Sequence, residues 1–187
     1  MPGNRGSELT VRSAVEADLG AVEEMVNDNV QGHPAQKHPR SRSALHDAYF
    51  GTSPVAHLLV AMHGDRVIGM GQWTLIYDMF WGMYGAHAEW LYVRRDFRGR
   101  GVVAAIIAQI CAQVHGAGGE FLRGGADDAE VAALYERVAK GWPARQCYLS
   151  AEAFRAFADL AGLPPRTIVR RIPAAELNSV PPRERVS

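Results

Sequence analysis

Residues Val102–Val114 form a run of thirteen without a formal charge, entered from the turn Arg94–Gly101, where four arginines and two glycines surround Asp96 and Phe97. A buried strand seldom exceeds eight residues, so a run of this length reads as a deeply buried helix. Ahead of the turn, His87–Val93 reads as a strand, with Glu89, Leu91 and Val93 on one face and Trp90 and Tyr92 on the other. His87 shares the face of Glu89. Glycines let the connecting backbone curl so that successive N–H groups converge on one point. The helix then offers its unpaired first-turn N–H groups and its positive dipole end to that same point. Four arginines against Asp96 add three net positive charges. In physical terms the turn Arg94–Gly101 leading into this helix is a pyrophosphate site. No Gly-Lys-Ser/Thr follows it and the dinucleotide-fold glycine spacing is absent, so it is neither of those phosphate loops. The alternatives are a solvated Arg-rich turn or a local RNA-contacting patch.

Around this segment the chain supplies one core. Leu9–Arg12 reads as a strand, Glu16–Asp28 as a helix, and Gln31–Ser43, with its prolines and histidines, as a loop. Val55–Met62 and Arg66–Ile76 read as strands joined by His63–Gly64–Asp65, and the aromatic stretch Tyr77–Tyr84 as a second hairpin connection. Glu120–Arg123 gives a short strand and Asp128–Ala139 a helix with acidic residues at its start. A further strand at Gln146–Leu149, a helix at Ala151–Ala161 and a strand at Thr167–Ile172 complete the reading. The order indicates an α+β (mixed α/β) domain over 9–162, with a central, mostly antiparallel sheet flanked by helices. Residues 1–8 read as a flexible tail and 163–187 as a C-terminal extension.

Composition narrows the function classes. Of 187 residues 48% are hydrophobic and 21% charged, enough for one buried core. Twenty basic residues balance twenty acidic ones, whereas a general nucleic-acid or membrane-surface binder carries a basic excess. Eighteen of the twenty basic residues are Arg, since only Lys37 and Lys140 are lysines, and Arg suits phosphate recognition. Cys111 and Cys147 are too few and too distant for a disulfide framework or a zinc knuckle, and Cys111 reads as a small core residue. The seven histidines form no metal-site pattern, so no metal is expected. With no apolar window of membrane-spanning length and no signal-peptide centre at Met1–Glu8, the expected location is cytoplasmic.

Arg98-x-x-Gly101-x-Val103 resembles the Arg/Gln-x-x-Gly-x-Gly/Ala signature of the GNAT superfamily of acyl-CoA N-acyltransferases. Val11–Ala14 with Asp18 is similar to the superfamily's first strand and helix, and Ala132–Arg137 to its late helix. Within it, the spermidine/spermine (diamine) acetyltransferase branch is similar at Phe50–Gly51 to Pro54, His57 to Ala61, Thr74 to Trp81, Glu89–Val93 and Tyr135–Arg137. The resemblance implies an N-acetyltransferase that moves an acetyl group from acetyl-CoA, its co-substrate, to a primary amine of a small molecule by direct attack in a ternary complex. It implies that backbone at Leu91, Tyr92 and Val93 binds the pantetheine arm, that Arg98–Ala104 takes the pyrophosphate, and that Asp128 lies beside the cofactor. Tyr135 would protonate the departing sulfur and Glu89 would hold the amine or relay its proton, with Asp78 and Trp81 as further substrate contacts. It also implies a homodimer, to which the large apolar side chains of Tyr77–Tyr84 lend themselves.

Several positions depart from the pattern. Val103 replaces a small residue, Asp128 an Asn, and Val138–Ala139 a Gly-Phe. The loop after the first helix is acidic in the polyamine enzymes, whereas here Lys37, Arg40 and Arg42 outweigh Asp47, with His33, His38 and His46 alongside. Such a loop repels a polyamine and favours a neutral or anionic amine. The alternative functions are acylation of a protein or antibiotic amine, a non-catalytic acyl-CoA sensor domain, or an RNA-binding module with strongly salt-dependent affinity.

Overall fold

A computed structural model describes residues 9–31 and 40–125. They form β1 (Leu9–Ser13), α1 (Leu19–Asn29), α2 (Arg42–Phe50), β2 (His57–His63), β3 (Arg66–Asp78), β4 (Met83–Val93), α3 (Val102–Gly116) and β5 (Phe121–Gly124), with short 3-10 turns at Glu16–Asp18 and Arg95–Phe97. The strands make one sheet in the order β1-β2-β3-β4-β5. Successive pairs run antiparallel except β4 and β5, which are parallel. This is the expected mixed architecture with a mostly antiparallel sheet.

The two faces of the sheet are covered differently. On one, Val102, Ile106, Ile110 and Val114 of α3 pack against Leu59, Ala61, Trp73, Ala86, Ala88 and Val93. On the other, Leu19, Val22, Met25 and Val26 of α1 and Leu45 of α2 pack against Leu58, Val60, Met70 and Tyr92. Gly71 is needed for the first of these contacts, because a Cβ there would stand 2.5 Å from Ile106 Cγ2. Among the described residues no helix is long and apolar enough to cross a membrane.

Three readings from the sequence need correction. The helix α2 follows a loop that was expected to run to Ser43, and it begins where Ser41 Oγ accepts a hydrogen bond from the Ala44 N–H at 3.2 Å. Strands β3 and β4 reach further into the aromatic stretch than expected, pairing from Trp73↔Ala88 out to Asp78↔Met83 around a short turn at Gly82, which has φ +66°. Finally, α3 is buried on one side only. Ala104, Ala108, Cys111 and Ala112 are exposed, so Cys111 is not a core residue. The helix is amphipathic by side-chain size, large inward and small outward, which a charge-based reading does not register.

Candidate active site

The site is built where β4 loses one neighbour. β5 pairs only with Gly85–Ala88, so among the described residues the outer edge of Glu89–Val93 has no strand partner. At the same place the β3–β4 register slips: Gln72 faces Trp90 but Trp73 faces Ala88, leaving Glu89 as the extra residue of a bulge. The bulge resets the alternation. Ala86 and Ala88 pack on the α3 side and so do Leu91 and Val93, a change from even to odd positions that a regular strand cannot make. Trp90 and Tyr92 accordingly face α1 and α2. A stretch of backbone without a second strand partner among the described residues therefore begins at Glu89. That side chain is 59% exposed, with Oε2 at 3.6 Å from His87 Nδ1.

The turn that follows is held firmly. Arg94 N–H donates to Ile68 O at 2.9 Å, Arg94 Nε to Val67 O at 3.1 Å, and its guanidinium reaches Glu24 at 3.0 Å. Phe97 is buried, with the guanidinium carbons of Arg66 and Arg100 at 5.5 and 5.2 Å from its ring centre. Arg66 also pairs with Asp96 at 3.0 Å. Arg98 folds back so that Nε donates to Val93 O at 3.1 Å, leaving its backbone rather than its side chain to face the turn's concavity. Gly99 and Gly101 have φ of +69° and +76°, a region that strains any other residue. Gly101 is the N-cap of α3 and carries no side chain to cap it, so the first-turn N–H groups at Val102, Val103 and Ala104 have no acceptor within the helix. These groups fit a pyrophosphate: amides at a helix N-terminus that follows an arginine-rich turn.

The structure thus places Glu89, Leu91–Val93 and Arg98–Ala104 in succession along β4, its turn and the first turn of α3. It sets Asp78 apart from them, five residues beyond Trp73 along β3 and about 17 Å at strand rise, with Trp81 in the turn beyond it. There Asp78 Oδ1 accepts the Trp81 N–H at 3.0 Å and Oδ2 meets Arg123. This carboxylate closes the hairpin turn and ties it to β5. Tyr135 and Asp128 lie outside the described residues. Two hollows open beside the sheet, one at its end between α2 and α3 and one on the α1–α2 face. One of about 440 Å³ lies between Ser13, Phe50, His57, Thr74 and Gln113, and its described lining includes no residue of Glu89–Ala104. The other, of about 150 Å³, is bounded by Gln72 and Trp90, the pair beside the bulge. Tyr49 stands in the wall of both, its hydroxyl donating to Gln72 Oε1 at 2.9 Å. Neither Tyr49 nor Gln72 was legible as a site residue. The signal available was a lone uncharged polar residue within the apolar run Val67–Trp73.

A strand released from its parallel partner just before a glycine turn and a helix N-terminus defines an acyl-CoA-dependent acyltransferase fold. The model of the Acetyltransferase (GNAT) family matches residues 22–139, and the chain belongs to that family. Among curated relatives it is 26% identical over 113 residues to a thialysine N-epsilon-acetyltransferase of Sus scrofa, covering 56% of this chain. The match spans 66% of that enzyme's length. Solved structures share the fold. A transcriptional regulator from Bacillus halodurans superposes with a TM-score of 0.64 at 21% identity, covering 76% of this chain and 99% of the other. An acetyltransferase from Trypanosoma brucei gives 0.59 at 20% identity over 76% and 99%. An aminoglycoside N-acetyltransferase in complex with CoA gives 0.62 at 17% identity over 80% and 99%.

Proposed function

We propose that the protein is an N-acetyltransferase that transfers the acetyl group of acetyl-CoA to a primary amine of a small molecule. The observation that carries this reading is the continuity of the β4 edge Glu89–Val93, which has no strand partner among the described residues, with the glycine-bent turn Arg98–Ala104 at the N-terminus of α3. Backbone of Leu91, Tyr92 and Val93 is suited to bind the pantetheine arm as an added strand would bind, and the amides of the turn to hold the pyrophosphate. Acetyl-CoA supplies an activated acyl thioester. Everything else falls to the chain.

An alkylamine is protonated near neutrality. Glu89 holds the ammonium and accepts its proton directly or through one water, and His87 at 3.6 Å passes it toward solvent. Nitrogen then forms the new C–N bond as the C–S bond breaks, Tyr135 gives its hydroxyl proton to the departing sulfur, and the second proton leaving nitrogen passes back to the tyrosine oxygen. Holding both reactants on one strand supplies the orientation. Asp78 and Trp81 belong to the hairpin rather than to this chemistry, and the working unit is a homodimer.

The test is calorimetric titration with acetyl-CoA at moderate salt, followed by thiol release with an amine panel. Micromolar binding is expected, and Tyr135→Phe should lower turnover about a hundredfold with acetyl-CoA affinity nearly unchanged. A folded protein that binds no acetyl-CoA removes the reading. Equal turnover of variant and parent removes Tyr135 from it.

A further inference from the structure

The larger hollow, about 440 Å³ at the end of the sheet, is walled in part by three ring side chains. Tyr49 and Phe50 come to it from the end of α2, and His57 from the start of β2. The Tyr49 hydroxyl is committed to Gln72 Oε1 at 2.9 Å, leaving its ring to the hollow. Gln113 Nε2 likewise donates to Ser13 Oγ at 3.0 Å, within the same wall. The His57 ring lies on Trp73 with centroids 4.1 Å apart and planes 16° apart. With one face covered by the buried Trp73, His57 has its other face and its edge to give to the hollow that it lines. At about 30 Å³ for each water of liquid, the hollow has room for roughly fifteen water-sized groups, enough for a ring on a short linker.

Register sets this hollow beside the proposed reaction centre. Thr74, in its wall, is directly opposite His87, so the two side chains share a face with Cβ atoms about 5 Å apart. His87 Nδ1 is in turn 3.6 Å from Glu89 Oε2. His57, Trp73 and Ala88 form one row across β2, β3 and β4. Two strand spacings therefore put the His57 backbone about 10 Å from that of Ala88, the residue before Glu89.

We infer that this hollow receives the body of the acceptor, and that the acceptor is an arylalkylamine, an aromatic ring carrying a primary amine on a short saturated linker. The ring stacks on the open face of His57 beside Phe50, the linker passes Thr74, and the amine reaches the His87–Glu89 pair. Aromatic pairs gain from offset or edge-to-face contact beyond the area they bury, so an aromatic ring is favoured over a saturated one of similar size. The inference rests on the acetyl-transfer reading above and adds the class of substrate.

Phenethylamine and cyclohexylethylamine are nearly equal in length and differ in the ring. With acetyl-CoA and full-length protein, kcat/KM should favour phenethylamine by roughly threefold or more, mostly in the acceptor KM. His57→Leu keeps an apolar side chain but removes the stacking ring, and should erase that preference. His57→Phe restores a ring and should preserve it. Neither variant should change acetyl-CoA affinity. Independently of turnover, phenethylamine added to the CoA-bound protein should move the His57 ring-proton resonances upfield, and cyclohexylethylamine should not. If acetyl-CoA binds and amines are acetylated but the two probes are used equally, or His57→Leu leaves the preference intact, the pocket assignment is overturned while the acetyltransferase stands. Phenethylamine that shifts His57 without being acetylated overturns it as well, because the hollow would then serve a ligand other than the acceptor. A folded protein that binds no acetyl-CoA overturns the parent reading, and this one with it.

Discussion

At the scale of single residues, the polar group most committed to the fold among the described residues is Asp18. It is buried to 7% exposure where the chain turns from β1 into α1. Its two oxygens accept from Arg12 at 2.7 and 2.9 Å, and Oδ2 also accepts the Val15 N–H at 2.8 Å. The Arg12 hydrogen bonds, more than the Val15 amide, hold the carboxyl pKa below the ordinary aspartate value, outweighing the burial that acts the other way. A depressed carboxylate pKa means that the unfolded chain takes up the proton first as pH falls. The contribution is therefore complete above the ordinary aspartate pKa of 3.8 and is lost as pH drops through the lower folded value. Asp18→Asn should cost about 1–3 kcal/mol at pH 7 and flatten the acid limb of stability below about pH 4. Urea denaturation across a pH series measures both. A variant that retains the parent's acid slope would show that other carboxylates carry it. Glu89 presents the opposite case, exposed at a bulge with His87 at 3.6 Å rather than holding a turn.

At the scale of elements, the site depends on how closely α3 approaches the sheet, since the helix N-terminus and the freed edge of β4 must face one ligand. Gly71→Ala would force a Cβ against the branched Ile106 Cγ2 at 2.5 Å and Leu91 Cδ2 at 3.1 Å. Overpacking of this kind costs about 1–3 kcal/mol, and each kcal/mol lowers Tm by about 2–4 °C in a chain of this size. Gly116, in the last turn of the same helix, has nothing within 4 Å of its would-be Cβ. Gly116→Ala should raise stability by about 0.4–1 kcal/mol through the unfolded chain. Thermal melts of opposite sign at the two glycines are the expected result, and a neutral Gly71→Ala would mean that α3 is free to shift. The strand, the glycine turn and the helix were readable because each leaves a local signature: alternation, φ-permissive residues and a charge-free run. Helix α2 was less so, since its cap at Ser41 and its Leu45 and Tyr49 spacing sit behind a stretch dominated by prolines and histidines. The bulge at Glu89 leaves no local signature at all. It exists only in the register between two strands, and so do the pairing of Gln72 with Trp90 and the pocket beside them.

At the scale of the whole molecule, an unpaid hydrophobic cost is concentrated at the β3–β4 hairpin. Met79 and Phe80 are 86% and 85% exposed, and Leu75, Tyr77, Trp81 and Tyr84 are each at least half exposed. Tyr77 and Tyr84 face each other at 4.8 Å and Phe80 meets Trp81 edge-on at 5.1 Å, so the cluster is ordered within itself. Asp78 braces it through the Trp81 amide and Arg123. Aromatic and Met side chains gathered on a rigid projection are what interfaces enrich and what monomer surfaces avoid. The proposed homodimer uses this hairpin, which places the contact about 17 Å along the strands from Glu89. Each acyl site should then work without its partner. Phe80→Ser combined with Trp81→Ser should convert the dimer to monomer in sedimentation velocity, while acetyl-CoA affinity changes less than twofold. The thermal midpoint should also lose its dependence on protein concentration, because only association makes folding concentration-dependent. A parent that sediments as a monomer, or a double variant that remains dimeric, would assign the hairpin to another partner. A variant that becomes monomeric and also loses acetyl-CoA binding would show that the hairpin's position along β4 is transmitted to the freed edge at Glu89–Val93, and the two halves of the strand would have to be treated as one device.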